Sequence, residues 1–215
     1  MKKILTFSLF FIYFLFFSQK YYFDNKCEIL ETKLKGNYRN LPEREILYFF
    51  NSKDSTYISY NFRPNEIHLF DYNTNMLKLL QIRNNSKTIS FDLLREDDFR
   101  NFRDEIIIKN VIVNDLGDDL YLIKAFSKEN SKKPNLVIKI KLKTSDNSLV
   151  RIHFMDLTEN IHDLIYDKLL EQLPSKKYQI ENIYLDYRNG IINEIKMIKC
   201  EKINLKYSLN FTPKK

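Results

Sequence analysis

From Glu28 to Phe211 the chain never holds one apolar period for long. Short apolar-rich runs are broken by polar turn clusters every 8–15 residues, which is the pattern of an all-β chain. It predicts strands at 28–35, 45–51, 56–63, 66–72, 76–83, 87–93, 106–113, 119–126, 135–143, 148–155, 177–187, 191–200 and 203–211. In 87–93, Ile89, Phe91 and Leu93 share one face and Thr88, Ser90 and Asp92 the other. Strands with one wet face belong to antiparallel rather than buried parallel sheets. The run 45–51 is apolar on both faces, which places it centrally or beneath a helix. Composition agrees: one Ala against 17 Phe and 14 Tyr suits a sheet better than a helical bundle. Asn189-Gly190, between Tyr187 and Ile191, is the strongest hairpin signal.

One segment departs from this rhythm. Ile161, Leu164, Ile165, Leu169 and Leu173 recur at helical spacing, so a helix is expected over 158–173 with Pro174 as its stop. Asp156 followed by Glu159 resembles a capping box, and Thr158 is the rival N-cap. A shorter helix is expected around Glu96–Asp104. The fold class is therefore mainly β (β-rich α+β): an antiparallel meander of about 11–13 short strands, a curved sheet or half-barrel covered by one amphipathic helix.

The N-terminus begins Met1-Lys2-Lys3 and continues with a 14-residue apolar run, Ile4–Phe17. That is the form of a secretory signal peptide, and the run is short for a spanning helix. Cleavage is expected after Ser18, giving a signal peptide at 1–18 and a single β-rich domain at 19–215. An uncleaved N-terminal membrane anchor is the alternative. Cys27 lies too far beyond the run for a lipoprotein. The expected destination is the bacterial periplasm or cell exterior, where disulfides are allowed. Cys27 and Cys200 are the only cysteines. They form the one intramolecular disulfide the chain can make, or else remain two buried thiols.

Motifs for chemistry are sparse. Three Gly leave little room for a nucleophile elbow or a phosphate loop, and His68, His153 and His162 lie in unrelated contexts. No metal or cofactor is expected. The one patterned constellation is basic. Lys139, Lys141 and Lys143 share a face of strand 135–143 with Val137. Pairing that strand with 148–155 in a hairpin would bring Arg151 opposite Lys139 or Lys141. Opposed like charges are unfavourable. Such a face serves either to keep an edge solvated or to dock on anionic lipid headgroups or acidic glycans. Nucleic acid is not expected as a partner, because the chain carries an export signal. In architecture the chain resembles the half-barrel of bacterial lipoprotein carriers, without a shared motif. The reading that follows is a secreted, non-enzymatic cell-envelope protein that binds an apolar ligand or a partner surface. The alternative is a secreted hydrolase whose site is assembled from distant strands.

Overall fold

The computed structural model describes residues 19–36, 43–63, 65–85, 88–98, 107–145, 151–152, 157–175 and 177–209. The fold is mainly β, with eleven antiparallel strands in one unclosed sheet and a single helix among the described residues. The strands are β1 (Gln19–Lys35), β2 (Arg44–Asn51), β3 (Asp54–Arg63), β4 (Glu66–Asp71), β5 (Met76–Asn85), β6 (Thr88–Asp98), β7 (Asn110–Asp115), β8 (Leu120–Phe126), β9 (Leu136–Thr144), β10 (Tyr178–Asp186) and β11 (Ile192–Leu209). Helix α1 (Glu159–Leu170) lies between β9 and β10 in sequence. The order across the sheet is β6-β5-β4-β3-β2-β1-β11-β10-β9-β8-β7. The two ends of the chain thus pair in the middle of the sheet, while β6 and β7, consecutive in sequence, form its two edges. Strand β2 sits inside, as its doubly apolar run requires.

Four expectations are corrected. The runs 191–200 and 203–211 form one strand, β11, and β1 reaches back to Gln19. No strand forms at Arg151 and Ile152, and β9 pairs with β8 and β10 rather than with 148–155. The chain inserts α1 before returning to the sheet, so the nearest apolar run in sequence is not the neighbour in space. Residues 96–98 end β6 rather than opening a helix; the rest of that segment, His153 and the expected signal peptide at 1–18 lie outside the described residues.

Contacts within the chain gather into two compact units. Unit 1 comprises 1–25, 49–97 and 202–215; unit 2 comprises 26–48 and 98–201. The interior of unit 1 is aromatic. The ring of Phe23 lies 6.2 Å from Phe49, 5.5 Å from Tyr57 and 4.8 Å from Tyr207, and Phe91 lies 4.2 Å from Tyr207. Tilted and edge-on contacts of this kind favour the ring quadrupoles. Ser59, Asp71 and Lys78 are buried with them.

Unit 2 has a mainly aliphatic interior, with Tyr48, Tyr121, Phe126, Tyr166, Tyr178 and Tyr187 buried among the aliphatic side chains. Leu136, Ile138, Ile140 and Leu142 of β9 are buried beside Ile123 and Ala125 of β8 and Ile180, Ile183 and Leu185 of β10. Helix α1 lies against β7 and β8. Thr158 is its N-cap, extended at φ −76° and ψ 158°, without a side-chain capping bond. The buried face is Ile161, His162, Ile165, Tyr166 and Leu169, while Leu164 is only half-buried. The face is therefore rotated from the expected one. His162 and Tyr166 can enter the interior because their polar tips are satisfied. His162 Nδ1 donates to the Thr158 carbonyl at 3.0 Å. The Tyr166 hydroxyl accepts from Ile152 N–H and donates to Ile152 C=O, both at 2.9 Å.

Cys27 and Cys200, on the central strands β1 and β11, are joined as a disulfide with Cα atoms 4.1 Å apart and a sequence separation of 173. The β10–β11 hairpin closes through Tyr187 N–H to Ile191 C=O at 3.1 Å. Its left-handed residues are Arg188 (φ 58°) and Gly190 (φ 97°), so the glycine stands where a side chain would be strained.

Candidate functional site: a lysine-bearing sheet face

Strand β9 alternates cleanly. Its buried residues look into unit 2, and Val137, Lys139, Lys141 and Lys143 take the opposite face. The registers of β7 to β11 extend that face into rows. One row reads Ile112, Lys124, Val137, Asp186, Ile192. The next reads Asn114, Leu122, Lys139, Tyr184, Glu194, and a third runs Leu120, Lys141, Asn182, Lys196.

Each lysine of β9 therefore has apolar or neutral neighbours rather than another cation. Lys139 stands between Leu122 and Tyr184, with its ammonium 5.7 Å from the Tyr184 ring centroid, within reach of a cation–π attraction. Lys141 stands between Leu120 and Asn182, and its ammonium donates to the Asp118 carbonyl. Lys143 is exposed opposite Gln179. Lys124 stands between Ile112 and Val137.

The acids of this face are already engaged. Glu194 accepts from the Asn182 amide at 2.8 Å and pairs with Lys196 at 3.1 Å. The Asn182 bond, aided by Lys196, holds its carboxyl below the usual range. Asp186 pairs with Arg188 at 2.9 Å. Lys124, Lys139, Lys141 and Lys143 are left to set the sign of the face.

Arg151 does not belong to it. Its guanidinium donates to Asp163 Oδ1 and Asp167 Oδ1, each at 2.7 Å, and lies 5.8 Å from the Tyr166 ring. Two carboxylates of α1 thus offset the charge expected opposite Lys139 or Lys141. Sequence reasoning also missed Leu120, Leu122, Tyr184 and Lys196 as members of the face. The alternation of 119–126 carries the signal for the first two, but only the register of distant strands brings all four together.

Elsewhere several polar groups pair with one another. Tyr21 donates to Asp71 at 2.8 Å within unit 1, and burial, then the Asp71 bond, pushes its hydroxyl pKa up. Lys78 pairs with Glu96 at 2.7 Å. His68 lies 2.9 Å from Glu66, which also meets Arg63 at 3.3 Å; the His68 bond chiefly holds Glu66 low. His68, Glu66 and Arg63 form a side-chain hydrogen-bonded chain on the β3–β4 hairpin. Among the described residues no group of three or more His, Cys, Asp or Glu could hold a metal ion, and no helix is long and apolar enough to cross a membrane. Comparison with known protein families and with curated protein sequences finds no match to this chain.

Proposed function

We propose that the chain is an exported, non-enzymatic protein of the bacterial cell envelope that docks on anionic lipid headgroups through the lysine-bearing face of unit 2. The observation that carries the reading is the placement of Lys139 and Lys141 on one sheet face, each between apolar or neutral ladder neighbours. Ammonium groups on apolar stems reach headgroup phosphates while Leu120, Leu122, Val137 and Tyr184 lie at the boundary with the acyl chains. Each lysine near an anionic membrane surface contributes about 1 kcal/mol. The lysine-led, apolar N-terminus supports export, and the Cys27–Cys200 bond suits an oxidising compartment.

Sedimentation with vesicles separates this reading from lysines that only keep the face solvated. The protein is expected to co-sediment with phosphatidylglycerol-containing vesicles at low salt, to release as salt rises, and to ignore pure phosphatidylcholine. Changing Lys139, Lys141 and Lys143 together to Gln should abolish binding. Arg151→Gln should leave it unchanged, because that charge is spent on Asp163 and Asp167. Wild-type protein that stays in the supernatant with anionic vesicles at low salt overturns the proposal.

A further inference from the structure

The β10–β11 hairpin loop sets a reactive pair, Asn189 and Gly190, in open solvent. Between Tyr187 and Ile191 the loop holds Arg188, Asn189 and Gly190, and all three are exposed. Ile191 N–H donates to Asn189 Oδ1 at 3.0 Å. That bond spans Gly190 and makes the side-chain amide imitate a main-chain turn, so the Asn189 side-chain carbonyl stays folded over the Gly190 peptide. It also aims a donor at the oxygen that takes up negative charge when a nucleophile adds to Cγ. Among the described residues no acceptor engages the Gly190 N–H. Gly190 is left-handed at φ 97°, and nothing lies within 4 Å of where a Cβ would stand on it. Its nitrogen is therefore neither hydrogen-bonded nor shielded by a side chain.

We infer that Asn189 is a self-modification site, converting to aspartate and isoaspartate through a cyclic imide formed with Gly190. Hydroxide from solvent removes the Gly190 N–H proton, and the nitrogen attacks Asn189 Cγ. The Cγ–Nδ2 bond breaks, ammonia leaves with a proton from water, and a five-membered imide remains. Water then opens the ring at Cγ, giving aspartate, or at the main-chain carbonyl carbon of Asn189, giving isoaspartate. The balance is amide plus water to acid plus ammonia. Holding nucleophile and carbonyl together in one turn is what speeds such a step. Other turn asparagines lack the following glycine: Asn73 precedes Thr74 and Asn130 precedes Ser131, whose side chains crowd the nitrogen. Either product places a carboxylate next to Arg188, whose guanidinium pairs with Asp186 at 2.9 Å. The loop thus gains an anion at the end of the row that holds Asp186 and Ile192, but the inference does not depend on what the lysine-bearing face binds.

The test holds the full chain, with its disulfide intact, at mildly alkaline pH and follows its peptides by mass spectrometry. The peptide with Asn189 should gain the mass of an amide-to-acid exchange, and isoaspartate, which direct hydrolysis cannot make, should be the larger product. Peptides with Asn73 and Asn130 should stay unchanged over the same time. Gly190→Ala should slow the conversion severalfold, because a methyl group then crowds the nitrogen and the left-handed backbone no longer suits the residue. The same incubation in urea separates the turn from the bare dipeptide, and the folded chain should convert at least as fast as the unfolded one. An Asn189 that converts only when the chain is unfolded means that the turn withholds the amide from Gly190, and overturns the inference. Aspartate without isoaspartate overturns it as well.

Discussion

The two units bury their strands by different means. Unit 1 fills its interior with rings and admits charged groups among them: Lys78 on Glu96, and Asp71 under the Tyr21 hydroxyl. Unit 2 relies mainly on Ile, Leu and Val, with α1 packed on β7 and β8. Yet both solve one local problem in the same way. Where strand pairing leaves the main-chain groups of a residue without a partner, a tyrosine hydroxyl supplies both bonds. Tyr57 serves Tyr22 in unit 1, accepting at 3.2 Å and donating at 2.9 Å; Tyr166 serves Ile152 in unit 2. Buried backbone groups must be satisfied wherever they fall, and a hydroxyl that can both donate and accept replaces a strand neighbour. The difference between the interiors is therefore one of filling, not of backbone bookkeeping, and it predicts different weak points.

The largest effect belongs to the charged interior. Lys78 is almost wholly buried, whereas Glu96 is 32% exposed. Glu96→Gln takes the carboxylate from a buried ammonium and should cost about 3–5 kcal/mol. Lys78→Met leaves a carboxylate that water can still reach, so it should cost far less. Urea denaturation of the two variants measures this asymmetry. Equal losses would mean that unit 1 treats the pair as a surface bridge.

In unit 2 the corresponding weak point is a cavity. Ile165→Ala should cost about 2–5 kcal/mol, whereas Leu164→Ala, one residue back on the half-buried flank, should cost much less. The same denaturation experiment checks it. Similar midpoints for the two variants would return the helix to the face its apolar spacing suggested.

That rotation shows what the sequence makes legible. Apolar alternation reveals strands well, because a half-buried strand must repeat every two residues: Leu136, Ile138, Ile140 and Leu142 are buried as that rule requires. Counting only aliphatic residues on α1 overlooked His162 and Tyr166, whose apolar bodies are buried once their tips find partners. Strand neighbours were harder still. The hairpins β3–β4, β4–β5 and β10–β11 follow from local turns, but β9 finds β10 only across the whole of α1, and β1 finds β11 from the far end of the chain. The cysteines alone hinted at the latter. The candidate face inherited both outcomes. Its lysines on β9 were legible from alternation, and its apolar members and the diversion of Arg151 were not.

The smallest effect is absent at neutral pH and emerges in alkali. Burial raises the hydroxyl pKa of Tyr21 and Tyr207 in unit 1 and of Tyr121 and Tyr166 in unit 2. For Tyr21 the Asp71 hydrogen bond and charge add to it, since a second anion beside that carboxylate is unfavourable. A tyrosine whose folded pKa lies above its unfolded value, about 10, holds its proton more tightly when folded. Its stabilising contribution is therefore complete below that pH and is lost as pH rises through the folded value, because only the unfolded chain ionises freely. Among the described residues both units carry two such groups, so alkali should weaken the two alike. Denaturation midpoints measured near neutral pH and at about pH 10.5 should fall in the wild type. The fall should shrink in Tyr21→Phe, in Tyr207→Phe and in Tyr166→Phe alike, because all three hydroxyls keep their protons in the folded chain at that pH. Each variant is compared with itself at the two pH values, so any loss already present at neutral pH does not enter. A fall that all three substitutions leave untouched would show that the buried hydroxyls do not set the alkaline limit in either unit.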